Sequence, residues 1–167
     1  FFIPENYLTW KDYFNVLRVL IHQAAISNNN NVEHNSKDIS KILTETQKAG
    51  IFTANIFIAQ AFALKNLSKK DFKINSFIYT FENMFPEKPI SYAVKEYFPG
   101  VKSIGFQHSV LYPLQTCLYP ASQEWKNMPL PDRIVCSGKL FLDVYLKHGA
   151  PGERFALGPA LRFNKLI

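Results

Sequence analysis

The sequence predicts an α/β fold, in which a parallel sheet flanked by helices follows a helical N-terminal part. Four apolar runs in the second half of the chain have the length and composition of strands, and each ends on a polar or glycine-bearing turn. With their turns, these runs span residues 77–82, 101–109, 133–139 and 154–160. Helical patterns follow the first and third runs, and this alternation is typical of a parallel sheet. We divide the chain into a helical part, residues 1–70, and the strand and helix units of one domain, residues 71–167.

The helical part is predicted from apolar side chains at helical spacing. The three expected helices span residues 10–26, residues 36–48 and residues 52–67. The asparagine run 28–31 ends the first helix, and either Asn35 or Ser36 caps the second. Gly50 separates the second helix from the third. The third is apolar on most of its sides, which is typical of a helix packed between other elements.

The second part is predicted from short apolar runs that alternate with helical spacing. Its strands are expected at residues 77–81, 101–107, 133–137 and 154–157, and its helices at residues 87–98 and 140–147. Pro89 is tolerated because it lies in the first turn of its helix, where no N–H is needed. Pro99 and Gly100 end that helix, and Gly149 ends the other at a position that accepts a positive φ.

The connection from residue 109 to residue 132 is unusual for a crossover between parallel strands. Its four prolines, Pro113, Pro120, Pro129 and Pro131, leave little room for a long helix. It also carries three large aromatic residues, Tyr112, Tyr119 and Trp125. These rings either stack on a substrate or pin the segment to the domain, and both interpretations stay open.

The charge of the chain favours an anionic partner. Lys and Arg total 19 against 13 Asp and Glu, which gives a net charge of +6. A solvated basic surface explains this excess, and so does a face that meets lipid or phosphate. The sequence has no block of consecutive basic residues, no zinc-finger spacing and no RNA-binding signature, so we expect no nucleic-acid partner.

The cysteine content indicates a reducing compartment. Two cysteines, Cys117 and Cys136, are too few for a disulfide scaffold, and Cys136 lies in a strand pattern where we expect a small buried side chain. No apolar run reaches the length of a membrane span. We therefore expect a cytoplasmic protein, with peripheral contact to the inner membrane face as an option that its charge allows.

Polar residues follow the predicted strands and suggest a site. In an open parallel sheet, ligands bind beyond the carboxyl ends of the strands. Glu82, His108, Ser137 and Gly158 each stand at such an end, so we expect them to gather along one rim.

Glu82 and His108 are the candidate catalytic residues at this rim. Glu82 acts either as a general base or as a cap of the following helix. Glu87 is a weaker candidate for a catalytic residue, because its position in the first turn of that helix is explained by the favourable interaction of an acid with the helix N-terminus. An imidazole exchanges protons near neutral pH, so His108 suits proton transfer or contact with phosphate. Gly105, in the same strand, is expected to let the backbone or a ligand come close.

The remaining candidates are residues that contact substrate. They are Asn83, Gln107, Ser109, Ser137, Gly138, Lys139 and Gly158. The Ser-Gly-Lys run at residues 137–139 opens a helix, whose free N–H groups suit phosphate, although the pattern is not a Walker loop. No pair among the other histidines, His22, His34 and His148, has the spacing of metal ligands, so we expect neither a metal nor another cofactor.

The order of these motifs resembles a known family. It runs through Phe81-Glu-Asn83 with Pro86, Ile104-Gly-Phe-Gln-His-Ser109, Pro131-Asp-Arg-Ile-Val-Cys-Ser-Gly138, His148-Gly-Ala150 and Leu157-Gly-Pro-Ala-Leu-Arg162. This order, over residues 75–162, resembles bacterial surface-carbohydrate biosynthesis proteins that look like glycosyltransferases of the GT-B architecture. A looser similarity extends to the N-terminal domain of Kdo transferases. The Asn-Met-Phe-Pro segment that follows Glu82 differs from the pattern of those transferases.

The resemblance implies a Rossmann-like half of a two-domain enzyme. Such a half holds the acceptor, a glycan or glycolipid, while a second domain, absent from these residues, mainly holds the nucleotide sugar. Glu82 would then deprotonate the acceptor hydroxyl, and His108 would orient the acceptor or the donor phosphate. The chain alone would be an incomplete enzyme of surface polysaccharide biosynthesis, and the resemblance implies no metal.

Two other functions stay open at this point. One is a nucleotide-sugar epimerase-like domain, which would need more carboxylates and histidines than the rim offers. The other is a non-catalytic domain of the same fold that binds carbohydrate or protein. A fold alone does not separate these functions.

Overall fold

The structure, a computed structural model, describes residues 3–27, 33–34, 37–38, 40–110, 117, 120 and 122–159. The chain divides into two compact units, Phe1–Lys70 and Asp71–Ile167. None of the helices in the described ranges is long and apolar enough to cross a membrane. Each unit is described by itself below.

The first unit is built from two long helices. Its elements are a 3₁₀ turn at Pro4–Tyr7, helix α1 at Trp10–Ser27, the two-residue strands β1 at Glu33–His34 and β2 at Lys37–Asp38, and helix α2 at Ser40–Leu67. The two strands pair antiparallel, and α1 packs against α2. Thr9 and Asp12 form a reciprocal cap at the start of α1, because the Thr9 N–H donates to the Asp12 carboxylate at 2.8 Å while the Asp12 N–H donates to the Thr9 hydroxyl at 3.4 Å.

Helix α2 corrects one prediction. Gly50 was expected to separate two helices, but residues 40–67 form a single helix of 28 residues that runs through it. A glycine in a helix interior costs about 1 kcal/mol relative to alanine. Each further helical residue adds a backbone hydrogen bond, so strong helical segments on both sides outweigh that cost.

The second unit contains the predicted parallel sheet. Its elements are β3 at Ser76–Thr80, α3 at Glu87–Tyr97, β4 at Lys102–Gln107, α4 at Ser122–Asn127, β5 at Arg133–Cys136, α5 at Lys139–Lys147, a 3₁₀ turn at Gly152–Arg154 and β6 at Phe155–Leu157. Within the described residues the strands lie in the order β3-β4-β5-β6, and every neighbouring pair is parallel. This arrangement confirms the α/β fold with a Rossmann-like parallel sheet flanked by helices.

One face of the sheet carries the core of this unit. Ile134 and Cys136 of β5 are fully buried, which confirms the prediction for Cys136. They belong to a cluster with Phe81, Tyr145 and Phe155. On the opposite face Ile78, in edge strand β3, is largely exposed, so the two faces are unequally covered.

The connection between β4 and β5 contains a short helix despite its prolines. Helix α4 places the Trp125 indole in the core at 4 % exposure. The ring packs edge-on against Tyr145 and Phe155, with centroid separations of 6.2 and 5.9 Å. Trp125 therefore pins the connection to the domain. Tyr112 and Tyr119 lie outside the described residues.

Gly105 in the middle of β4 has a packing role instead of the expected open approach. A Cβ at this position would lie 2.7 Å from Cβ of Phe81 and 2.9 Å from Cγ of Pro131. The space above Gly105 is thus filled by the domain's own side chains, which leaves no room there for a ligand.

We expect Gly105→Ala to destabilise the second unit by about 1–3 kcal/mol, because its methyl group overlaps Phe81 and Pro131. Urea denaturation followed by circular dichroism measures the free energy of unfolding. The control is Gly152→Ala, whose added Cβ would meet only Leu146 at an ordinary 3.4 Å. Equal stability of the two variants would contradict the packing described here.

Candidate functional site

The candidate site lies at the carboxyl edge of the parallel sheet. Glu82 follows β3, His108 follows β4, and Ser137 follows β5, as the topology requires. A hydrogen bond from the His108 N–H to Glu82 connects the ends of β3 and β4 directly. The Gln107 side chain, which accepts the Ser137 N–H, connects the ends of β4 and β5. The structure therefore brings together the principal residues predicted for the rim.

The Glu82 carboxylate is the centre of this edge. Its Oε1 atom accepts the backbone N–H of His108 at 3.1 Å and that of Ser109 at 2.9 Å. The same oxygen lies 3.0 Å from Nδ1 of the His108 ring. Three nitrogen donors thus converge on one carboxylate oxygen, which fixes both the chain direction after β4 and the orientation of the imidazole.

Burial distinguishes the two partners. Glu82 is 7 % exposed, whereas the His108 side chain is 39 % exposed. The second carboxylate oxygen of Glu82, Oε2, is buried and has no hydrogen-bond partner among the described residues. Glu82 therefore does not act as a helix cap here, and its carboxylate faces the interior of the edge.

The geometry determines which ring nitrogen of His108 is available. With Nδ1 directed at a carboxylate, the neutral ring carries its hydrogen on Nδ1 and a lone pair on Nε2. This tautomer is assigned from the hydrogen bond. A partly exposed imidazole oriented by a buried carboxylate is suited to take a proton from a bound hydroxyl group.

Gln107 joins the ends of β4 and β5 from within the domain. Its side chain is fully buried. The amide oxygen accepts both the N–H and the hydroxyl of Ser137 at 3.3 Å, and the amide nitrogen donates to the Ser109 carbonyl. Gln107 therefore positions Ser109 and Ser137, both of which are half-buried and border the edge.

Asn83 holds the turn after β3. Its backbone adopts φ 56°, a left-handed conformation that asparagine tolerates better than most residues. Its amide nitrogen donates to the Cys117 carbonyl at 2.5 Å, and its amide oxygen accepts from Nζ of Lys88. Both the amide nitrogen and the amide oxygen of Asn83 are thus hydrogen-bonded within the protein.

The other predicted contact residues have contacts that do not involve the Glu82–His108 pair. Lys139 forms an exposed ion pair with Asp143 at 2.7 Å, one helical turn away. Gly138 precedes α5 with φ 150°. The Gly158 N–H donates to the Cys136 carbonyl at 2.8 Å, and a Cβ on Gly158 would overlap Val135. No hydrogen bond or ion pair in the described part of the chain joins Gly138, Lys139 or Gly158 to His108.

Glu87 is more important to this edge than its sequence position indicated. Its two carboxylate oxygens accept the backbone N–H of Glu82 at 2.6 Å and that of Met84 at 3.1 Å. Burial raises the pKa of Glu87 to about 7, although these hydrogen bonds and the neighbouring Lys88 oppose the shift. The negative charge of Glu82 adds to the increase.

Lys88 is the residue that sequence reasoning missed. Its ammonium group lies 5.3 Å from the centre of the Phe81 ring and donates to Sδ of Met128 at 3.4 Å. Burial lowers the pKa of Lys88 to about 8. Nothing in the local sequence signals this, because the surrounding apolar groups come from distant parts of the chain. Lys88 borders an open groove of about 660 Å³, lined by Asn83, Lys88, Cys117, Pro120, Glu124, Asn127 and Met128.

Comparisons with known proteins give this site no family. Neither protein-family models nor curated proteins nor solved structures matched the chain. Among the described residues, no three His, Cys, Asp or Glu side chains are grouped so that they could hold a metal ion.

Glu87 makes a testable contribution to stability. Its pKa is near 7 in the folded chain against an ordinary value of 4.5, so the folded state retains a proton that the unfolded state releases. The free energy of unfolding therefore falls as pH rises through this window, by up to about 3 kcal/mol. We expect Glu87→Gln to lose this decline.

Urea denaturation of wild type and Glu87→Gln at several pH values between 4.5 and 7 measures the difference. The exposed Glu153→Gln variant is the control and should follow the wild type. Parallel pH profiles for wild type and Glu87→Gln would show that Glu87 does not hold its proton in the folded protein.

Proposed function

We propose that this chain is the acceptor-side domain of a glycosyltransferase that transfers sugar from a nucleotide sugar to a bacterial surface polysaccharide or glycolipid. The observation that carries the proposal is the Glu82–His108 pair at the carboxyl edge of a parallel sheet, 3.0 Å apart. The order of motifs along residues 75–162 adds the family resemblance.

The burial of the pair favours His108 as the general base. Glu82 is almost enclosed, and its Oε1 atom already receives three donors. His108 has the exposed ring and, in the assigned tautomer, a lone pair on Nε2. This assigns the proton transfer to His108 and the orientation of its ring to Glu82, whereas the family resemblance implies that Glu82 is the base and that His108 orients the acceptor or the donor phosphate.

The proposed reaction is a displacement at the anomeric carbon of the sugar. Nε2 of His108 accepts the proton of an acceptor hydroxyl as that oxygen forms its bond to the anomeric carbon. The bond from that carbon to the nucleoside diphosphate breaks, and the diphosphate leaves with the electron pair. The Glu82 carboxylate stabilises the imidazolium that forms, as the acid does in a Ser-His-Asp triad.

The residues next to the pair would shape the acceptor site. Ser109 and Ser137 are half-buried and are held by the Gln107 amide, so their remaining polar groups are placed at the same edge. Hydroxyl and backbone groups of this kind suit the hydroxyl-rich surface of a sugar. The nucleotide sugar itself would be held mainly by a second domain.

Sugar transfer tests the assignment. The longest form of the protein is incubated with a panel of nucleotide sugars and a lipid-extract acceptor. We expect His108→Ala to lower the turnover number at least about a hundredfold, the usual contribution of a general base. Glu82→Gln should lower it by roughly tenfold or more, because the neutral amide no longer stabilises an imidazolium.

Two variants outside the edge serve as controls, His148→Ala for loss of an exposed imidazole and Glu153→Gln for loss of an exposed carboxylate. Undiminished transfer in folded His108→Ala would remove this residue from the chemistry. Interconversion of a nucleotide sugar without acceptor would indicate the epimerase-like alternative. Carbohydrate binding without turnover, unchanged in Glu82→Gln, would indicate a binding domain.

A further inference from the structure

Helix α1 of the first unit exposes a row of large apolar side chains. Trp10, Phe14, Leu17 and Ile21 are 84 %, 72 %, 52 % and 61 % exposed. Their spacing of four, three and four residues places them on one face of the helix, here named the α1 stripe. Single exposed apolar residues are ordinary, but a continuous row along a helix marks a surface that meets an apolar partner.

The opposite side of α1 is already used, so the stripe does not belong to the interior of this unit. Val16 is buried, and α1 packs against α2. The buried Asp12 carboxylate accepts from the Asn66 amide of α2 at 2.9 Å. This bond and the Thr9 cap fix the rotation of α1, and that rotation leaves the four side chains of the stripe exposed.

The stripe adjoins a groove between the helices that is lined mostly by apolar side chains, with Glu5, Asn55 and Gln60 as its polar members. Tyr13 and Leu17 of α1 line this groove together with Ile56 of α2, whose side chain is largely exposed. The apolar surface is therefore wider than a single helix face. Such a surface can settle into the boundary between lipid headgroups and acyl chains.

The charges beside the stripe indicate which apolar partner fits. Lys11 and Arg18 are exposed and, seven residues apart, flank the stripe on the same side. Asp12, the acidic residue of α1, is buried and occupied by hydrogen bonds from Thr9 and Asn66. The exposed ionised groups of α1 are thus cationic, which complements an anionic lipid surface and would repel in a symmetric contact between two copies.

We infer that the α1 stripe docks this protein on an anionic lipid bilayer, with α1 lying in the plane of the interface. Trp10 would sit at headgroup level, where indole rings are favoured, and Lys11 and Arg18 would face the anionic headgroups. This docking does not depend on the chemistry at His108. It would tether the chain to a membrane, which is also where a glycolipid acceptor resides.

Tryptophan emission offers a direct test with the 167-residue chain, which has two tryptophans, Trp10 and Trp125. Trp125 is buried and gives a constant background, whereas exposed Trp10 should shift to shorter wavelength when it enters lipid. The protein is titrated with vesicles of phosphatidylcholine and of phosphatidylcholine mixed with phosphatidylglycerol. We expect the shift and co-sedimentation with the anionic vesicles, and Trp10→Phe should abolish the shift.

Matched variants distinguish vesicle binding through the α1 stripe from non-specific binding through any exposed apolar side chain. Phe14→Ser combined with Leu17→Ser should weaken anionic-vesicle binding at least tenfold, because both apolar side chains leave the interface. Leu140→Ser, a change at an exposed leucine of α5, should leave binding unchanged.

The charge contribution has its own pair of variants. Lys11→Gln with Arg18→Gln should weaken binding roughly twenty-five-fold, at about fivefold for each basic residue near an anionic surface. Lys126→Gln with Lys147→Gln removes the same net charge from exposed positions of α4 and α5 and should have little effect.

Several results would overturn the inference. One is the absence of vesicle binding by folded wild type, and another is equal binding to neutral and anionic vesicles. The third is an equal loss of vesicle binding in the Lys11→Gln, Arg18→Gln variant and in the Lys126→Gln, Lys147→Gln variant. Sedimentation velocity tests the competing occupant. A dimer that the Phe14→Ser and Leu17→Ser variant dissociates, without vesicle binding, would make the stripe an interface between two copies.

Discussion

The Glu82 carboxylate holds the edge of the second unit in place. Among the described strands, β3 lies at the edge of the sheet and pairs only with β4, so the segments after the two strands need a further connection. Oε1 of Glu82 supplies it by accepting the amides of His108 and Ser109. A buried carboxylate is costly unless it is hydrogen-bonded, and the two backbone amides offset that cost at Oε1, whereas Oε2 has no hydrogen-bond partner among the described residues. The orientation of the His108 ring and the course of the chain after β4 both depend on this contact.

Local patterns predicted much of the fold because strands and helices carry their periodicity in consecutive residues. The strands of the sheet and helices α1, α3 and α5 were found within a few residues of their observed bounds. Gly50 misled the prediction, since a single poor helix former weighs little against the residues that surround it. Helix α4 was also missed, because its stability comes from Trp125 packing on Tyr145 and Phe155, which lie far along the chain.

The proximity of Glu82, His108 and Ser137 was predictable from topology, whereas their roles were not. Parallel strands bring their carboxyl ends to one edge whatever the side chains are. Which partner of an acid–imidazole pair meets a substrate depends on burial, and burial comes from the whole domain. The same applies to Glu87 and Lys88, whose pKa values are set by enclosure. From the local sequence, Glu87 is only an acid at the start of a helix and Lys88 only the lysine next to it, so neither pKa shift could be predicted.

The strands lie across the sheet in the order in which they occur in the chain. Each parallel pair is therefore closed by one crossover, such as the one that brings Ser76 beside Lys102 or the one that brings Ile134 beside Phe155. The entropy cost of closing a loop grows with its length, so strands that are neighbours in both sequence and sheet pair at the smallest cost. The sheet accordingly needs no pairing between strands that are distant in the chain, and each added strand lengthens the sheet without enlarging the loops already closed.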